Sequence, residues 1–216
     1  MILNHGINSL NVVSDFSIIG GRKYKTTVIG NQIWLAENLD YKFDGLKITS
    51  EYSSKEPRAA YYNNDENTYG WNGYHCGLLY NSIAAYYLNT HQNLISGWRV
   101  PTIDDFDILA NYVGGRSVAG KKLKANNNIY PVSNPSWPNS LGGDGDTYGF
   151  SAIPAGYSEF SGFKNFDQSI VYVTPGSTPI DGTTTYPSFN KNRDNMDEFN
   201  AIRYYLYPMR LVRDIT

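Results

Sequence analysis

The sequence predicts a single α+β domain of short strands, two helices and long loops, and three observations lead there. First, Gly97-Trp98-Arg99-Val100-Pro101-Thr102, followed by Ile103-Asp104-Asp105-Phe106, reads as a strand end, a rigid turn and a helix start. Second, short alternating or apolar runs recur between Gly- and Asn-rich turns, the pattern of half-buried strands. Third, the long stretches between them carry neither helical nor strand period and are crowded with Tyr, Asn and Gly. A chain of 216 residues can bury a core as one domain, and no repeat or linker divides it into comparable halves. Residues 1–21 read as an N-terminal arm or docking segment, and residues 22–216 as the domain.

In chain order, Ile7 to Ile19 alternate weakly and end at Gly20-Gly21. Tyr24 to Val28 and Gln32 to Leu35 form a hairpin about Gly30-Asn31, a favourable pair for a tight turn. From Tyr41 to Tyr74 the pattern weakens into a long aromatic loop. Gly77 to Tyr80 is a short strand, and Ser82 caps a short helix running to Leu88. At the corner, Pro101 keeps the helix from starting earlier, and Thr102 with Asp105 approaches a capping box. Phe106, Leu109, Ala110 and Val113 give that helix one apolar face, and Gly114-Gly115 ends it. Trp98 is expected to be buried against this helix with Leu109 in the same core. Ala119 to Lys124 reads as a basic connection, and residues 126–145 as loop. Tyr148 to Tyr157 is an extended strand, Phe160 to Phe163 a turn, Ile170 to Val173 a buried strand, and residues 175–200 a second long loop. The closing stretch from Arg203 to Val212 is expected to pair in the central sheet or with the first hairpin.

Composition narrows the function. A net charge of −2 with no Lys/Arg run argues against a nucleic-acid partner. Only 18% of residues are charged, yet the mean hydropathy is −0.45, so the polarity comes from Asn, Ser, Thr, Gly and 19 tyrosines. Such surfaces bind through stacking and hydrogen bonding. No apolar stretch is long enough for a membrane span. The N-terminus shows no basic segment, apolar segment or lipoprotein-type cysteine, so this sequence carries no readable signal peptide: either export uses no cleaved signal, or one has been trimmed away. The single cysteine, Cys76, excludes an internal disulfide and a Cys-based zinc cluster.

Candidate chemistry is sparse. His75-Cys76 suggests a nucleophile, but neighbours on an extended segment point to opposite faces, which favours a packed thiol. His5 and His91 are isolated. Asp144 and Asp146 flank Gly145 in an oxygen-rich loop that suits calcium weakly; the EF-hand spacing and closing Glu are missing, and an Asp/Gly turn explains it as well. No nucleophile-elbow motif is present.

The order of motifs resembles the Fibrobacter succinogenes major paralogous domain family of bacterial surface domains. The resemblance rests on residues 28–39 (VIGNQIWLAENL), 77–81 (GLLYN) with Ala84-Ala85, 97–102 (GWRVPT), 113–115 (VGG), 119–124 (AGKKLK), 148–157 (YGFSAIPAGY) and 209–214 (MRLVRD). It covers nearly everything from about residue 22 onward. It implies a C-type-lectin-like layout with small antiparallel sheets, two helices and long loops, and it brings no enzymatic chemistry. Members usually close on a Val-Arg-Cys-Val type strand, and here Leu211 replaces the cysteine. The Gly-x-Arg-x-Pro-Thr corner is similar to that of formylglycine-generating enzymes, whose chemistry needs a cysteine pair that this chain lacks. Domains of this shape also occur on phage virions.

The expectation is therefore a non-enzymatic binding or display module on a virion or bacterial envelope, an adhesin-like fibre component recognising a host-cell glycan or surface protein. Its ligand face is expected to combine Tyr61, Tyr62, Tyr69, Trp71 and Tyr74 from one loop with Tyr186, Asn190, Asn192 and Arg193 from the other. No cofactor is expected beyond the weak calcium case. The alternatives are a structural virion decoration that assembles through residues 1–20, and a hydrolase built in the loops.

Overall fold

The structure, a computed structural model, describes residues 16–52, 55–125, 137, 146–176 and 182–215. The proposed arm up to residue 15 and Asp144 lie outside the described residues. In chain order the elements are β1 (Phe16–Ile19), β2 (Arg22–Ile29), β3 (Gln32–Leu35), β4 (Lys47–Ile48), β5 (Arg58–Ala60), α1 (Glu66–Tyr69), β6 (Leu79–Tyr80), α2 (Ser82–Thr90), α3 (Ile103–Tyr112) and α4 (Arg116–Leu123). There follow β7 (Ala155–Glu159), β8 (Gly162–Phe166), β9 (Ser169–Val171), β10 (Thr183–Asn190), β11 (Asp197–Ile202), β12 (Tyr207–Pro208) and β13 (Val212–Asp214). The fold is α+β. Its sheets run β1-β2-β3-β13, β12-β6-β5-β4, β11-β10-β9 and β7-β8, and among these strands only β4 and β5 pair in parallel.

The first sheet follows from two tight turns. Gly20 and Gly21 take positive φ between Ile19 and Arg22, and Gly30 does so between Ile29 and Gln32. A Cβ on Gly30 would meet the Tyr112 ring at 2.9 Å, so this turn also seats α3. The closing stretch meets both expected partners, but as two short strands: β12 pairs with β6, and β13 pairs with β3 through Val212 and Trp34.

Helix α3 starts where its sequence demands, with the Thr102–Asp105 capping box formed. Helix α2 is capped one residue earlier than expected. The Asn81 carboxamide oxygen accepts from Ala84 N at 2.9 Å, while Ser82 is buried with its hydroxyl 2.8 Å from Tyr186 Oη. The basic connection is in fact the end of α4. Ala119 and Leu123 face the core, and Lys121 and Lys122 sit in the last turn, where the helix dipole favours cations. Eight residues with a glycine at the start and another inside were too few to show helical period.

Both long loops contain strands. Residues 41–74 hold β4, β5 and α1, and residues 175–200 hold the β10–β11 hairpin. Pro187 argues against a strand there. Its carbonyl nevertheless accepts from Tyr172 N at 3.0 Å, and Tyr186 and Phe189 face inward.

The core has two main parts. One gathers Tyr24, Leu39, Tyr80, Leu88, Trp98, Val100, Tyr186, Tyr207 and Leu211. The other gathers Trp34, Phe106, Leu109, Leu123, Trp137, Phe150, Tyr172 and Phe189. Trp98 is buried at 2% exposure, but Leu109 lies in the second part. The turn at Pro101 carries α3 across to Trp34, so the corner feeds both halves of the core.

Candidate functional site

The motifs that stand out in the sequence are held by buried polar networks. Arg210 is fully buried and donates to Asn38 Oδ1 (2.9 Å), to the carbonyls of Leu35 and Phe150 (both 2.7 Å) and to that of Ser151 (2.8 Å). Asn38 in turn donates to the Cys76 carbonyl at 2.9 Å. At the corner, Arg99 bonds Asp105 (2.5 Å) and both carboxylate oxygens of Asp214 (3.0 Å). Gln32 reaches Asp105 from β3 at 3.1 Å and accepts from Trp34 Nε1 at 3.2 Å. These side chains tie remote segments together and have little capacity left for a ligand.

A different place is built for contact. A cleft of about 420 Å³ opens beside the β1–β2 turn, lined by Gly20, Arg22, Asp40, Tyr41, Lys42, Tyr61, Glu66, Asn67, Trp71 and Asn72. Gly20 is required because a Cβ there would overlap the Tyr41 ring at 2.2 Å. Asp65 caps α1 by accepting from Thr68 N at 3.1 Å, and this presents Glu66 and Asn67 at the rim. Arg22 pairs with Asp40 at 2.9 Å, and its guanidinium lies 3.5 Å from the Trp71 ring centre. Lys42 Nζ donates to both oxygens of Glu66, at 2.9 and 2.8 Å.

Tyr61 joins the two ion pairs. Its hydroxyl stands 2.7 Å from Asp40 Oδ1 and 3.1 Å from Glu66 Oε1. Burial, then its bond to Asp40, pushes the phenol up, while the Lys42 hydrogen bond holds Glu66 below the usual carboxylate range. One hydroxyl hydrogen serves two carboxylates, each of which also keeps its cation, Arg22 on Asp40 and Lys42 on Glu66. Arg22 Nε is buried without a hydrogen-bond partner. The exposed amides of Asn67 and Asn72 complete a wall that can both donate and accept.

The sequence-predicted ligand residues divide three ways. Tyr61 and Trp71 line the cleft. Tyr62, Tyr69 and Tyr74 turn the other way and pack on Phe166, with Tyr62 only 8% exposed. They fill a core under the loop. Tyr186 is fully buried against Tyr207, so its place in a ligand face is corrected: β10 aims it inward. Asn190, Asn192 and Arg193 form the β10–β11 turn, where Asn190 Oδ1 accepts from Asn192 N at 3.0 Å and Arg193 pairs with Asp197 at 3.0 Å. The backbone carbonyls of Asn190 and Arg193 (2.6 and 2.5 Å) hold the buried Lys124 ammonium.

Asp146 is buried, and its two carboxylate oxygens accept from the Ser151 amide (2.7 Å) and from the Ser151 hydroxyl. Burial raises its pKa. Among the described residues no three His, Cys, Asp or Glu side chains group as metal ligands. Cys76 is fully buried, and burial pushes its thiol up, so it stays protonated.

The Fibrobacter succinogenes major domain model matches residues 28–213, nearly the whole chain. The chain belongs to the Fibrobacter succinogenes major domain family. No curated protein and no solved structure matches it. The Fibrobacter succinogenes major domain match begins at Val28, after Arg22 on the cleft wall, and ends at Arg213, before the Asp214 that clasps Arg99. Sequence reasoning missed Arg22, Asp40, Lys42 and Glu66. Their only local signal is scattered charge in a chain otherwise poor in it.

Proposed function

We propose that this protein is a non-enzymatic binding module of C-type-lectin-like architecture, displayed on an exposed virion or envelope surface, that recognises a glycan in the Arg22–Trp71 cleft. The observation that carries this reading is the Arg22–Asp40–Tyr61–Glu66–Lys42 chain of hydrogen bonds along one cleft wall. Vicinal sugar hydroxyls donate and accept at adjacent positions, and carboxylates beside cationic donors satisfy both roles. Trp71 and Tyr41 add aromatic surface for C–H contact, and Asn67 and Asn72 add amides at the mouth. A cleft of about 420 Å³ lies in the size range of small-ligand sites and admits one or two sugar rings.

The test is a glycan array and whole-cell binding with the parent, Trp71→Ala, Lys42→Ala and Glu66→Gln, each checked for folding by circular dichroism. The parent is expected to bind a defined glycan set, and each variant to lose about fivefold or more in affinity. A parent that binds no glycan, or folded variants that bind as the parent does, would overturn the reading.

A further inference from the structure

A second face of the molecule carries four aromatic rings outside the cleft, of which Tyr205 rests on the core and Phe160 stands bare. Phe160, at the two-residue turn between β7 and β8, is 73% exposed. Its ring meets Tyr52 edge-on with centres 4.9 Å apart, and Tyr52 also meets Tyr205 at 5.9 Å and Tyr204 at 6.4 Å. All three tyrosines are partly exposed.

The platform is held from beneath. Ser158 and Leu206 exchange backbone hydrogen bonds at 2.9 Å, fixing the turn that carries Tyr204 and Tyr205 against β7. The buried Arg58 donates to the Tyr204 carbonyl at 3.0 Å. The backbone that carries Tyr204 and Tyr205 is therefore ordered before any ligand arrives.

We propose that this face is a second binding surface, separate from the cleft, and that its ligand is a neutral polysaccharide strand. Area and charge argue for that occupant. One exposed ring and three partly exposed ones offer at most about 400 Å², half of the roughly 800 Å² per partner that a stable protein interface needs. That is ample for the C–H faces of a few sugar units. The Glu159 carboxylate beside the rings takes only the Ser161 hydroxyl, at 2.8 Å, and forms no ion pair among the described residues. An unpaired carboxylate at the edge disfavours anionic lipid and acidic polymers, and it offers an acceptor to sugar hydroxyls.

The test is affinity electrophoresis of the full chain through gels containing mannan, xylan, laminarin or hydroxyethylcellulose. The parent should be retarded in at least one gel. Phe160→Ala should weaken that retardation about tenfold in apparent affinity, and Tyr205→Ala should act in the same direction. Asp104→Asn, on the exposed side of α3 and in neither set of binding residues, should leave it unchanged. Phe160 is exposed enough that its variant keeps the test valid even if Tyr205→Ala fails to fold. No retardation in any gel, or retardation indifferent to Phe160→Ala, overturns the proposal. So does a Phe160-dependent dimer in sedimentation, or Phe160-dependent binding to phosphatidylcholine/phosphatidylglycerol vesicles without any polysaccharide binding.

Discussion

Arg210 Nε donates to Asn38 Oδ1 at 2.9 Å, across 172 positions of sequence. The same guanidinium collects carbonyls from residues 35, 150 and 151 and stacks over Phe150, its carbon 4.8 Å from the ring centre. One buried cation thus joins the first hairpin, the segment before β7 and the C-terminal segment. Arg210→Met removes every donor at once and leaves three carbonyls and an amide oxygen buried without it. The expected loss is about 3–5 kcal/mol, read from urea unfolding. Arg210→Lys, with a shorter reach and three donors, should recover only part. A variant within about 1 kcal/mol of the parent would show that water replaces the guanidinium.

Trp98→Ala should cost about 3–5 kcal/mol, as for other large aromatic truncations in cores. Trp98 is 2% exposed, and its Nε1 donates to Ser17 Oγ at 3.0 Å. Thermal unfolding checks this, and a variant melting within a few degrees of the parent would remove Trp98 from the core.

Deleting residues 208–216 should abolish cooperative folding. The segment supplies the Arg99–Val212 bridge, the Met209 and Leu211 carbonyls that accept from Leu39 and Leu35, and Arg210 itself. Removing it exposes both core halves along one seam. A soluble truncation with a sharp unfolding transition would refute this.

Stability should rise and then fall at alkaline pH. Burial lowers the Lys124 ammonium from 10.5 to about 8. Between those values the unfolded chain holds a proton that the folded chain has released, so raising pH through that window adds stability. The buried Cys76 thiol, raised from 9.0, and the buried tyrosines act in the opposite sense. Burial raises Tyr24 from 10.0 to about 12 and lifts Tyr186 and Tyr207 higher. Above pH 10 the unfolded chain therefore ionises first and stability is lost. Urea midpoints at stepped pH, with tyrosinate absorbance alongside, should show a rise above pH 8 and a collapse beyond 10. Lys124→Met should flatten the rise and keep the collapse. A rise that survives Lys124→Met would assign it to another group.

Local chemistry made several features legible without coordinates. Pro101, Thr102 and Asp105 constrain their own backbone, and Gly30-Asn31 closes a turn between adjacent strands, so the corner, α3 and the first hairpin stand where their residues place them. The family, too, was legible from motif order. Helix α4 and the β10–β11 hairpin were not, because short polar segments owe their structure to what they pack on. The site divided in the same way. Its aromatic loop was visible in composition, yet which ring faces solvent depends on the partner beneath it. Tyr62 found Phe166 and Tyr186 found Tyr207, while Trp71 found the Arg22 guanidinium at the cleft. The sequence by itself determined the elements whose signals lie within a few residues of one another. Only the tertiary structure decided how charges as distant as Arg22, Asp40 and Glu66 meet, because their pairing depends on chain paths that no local preference encodes.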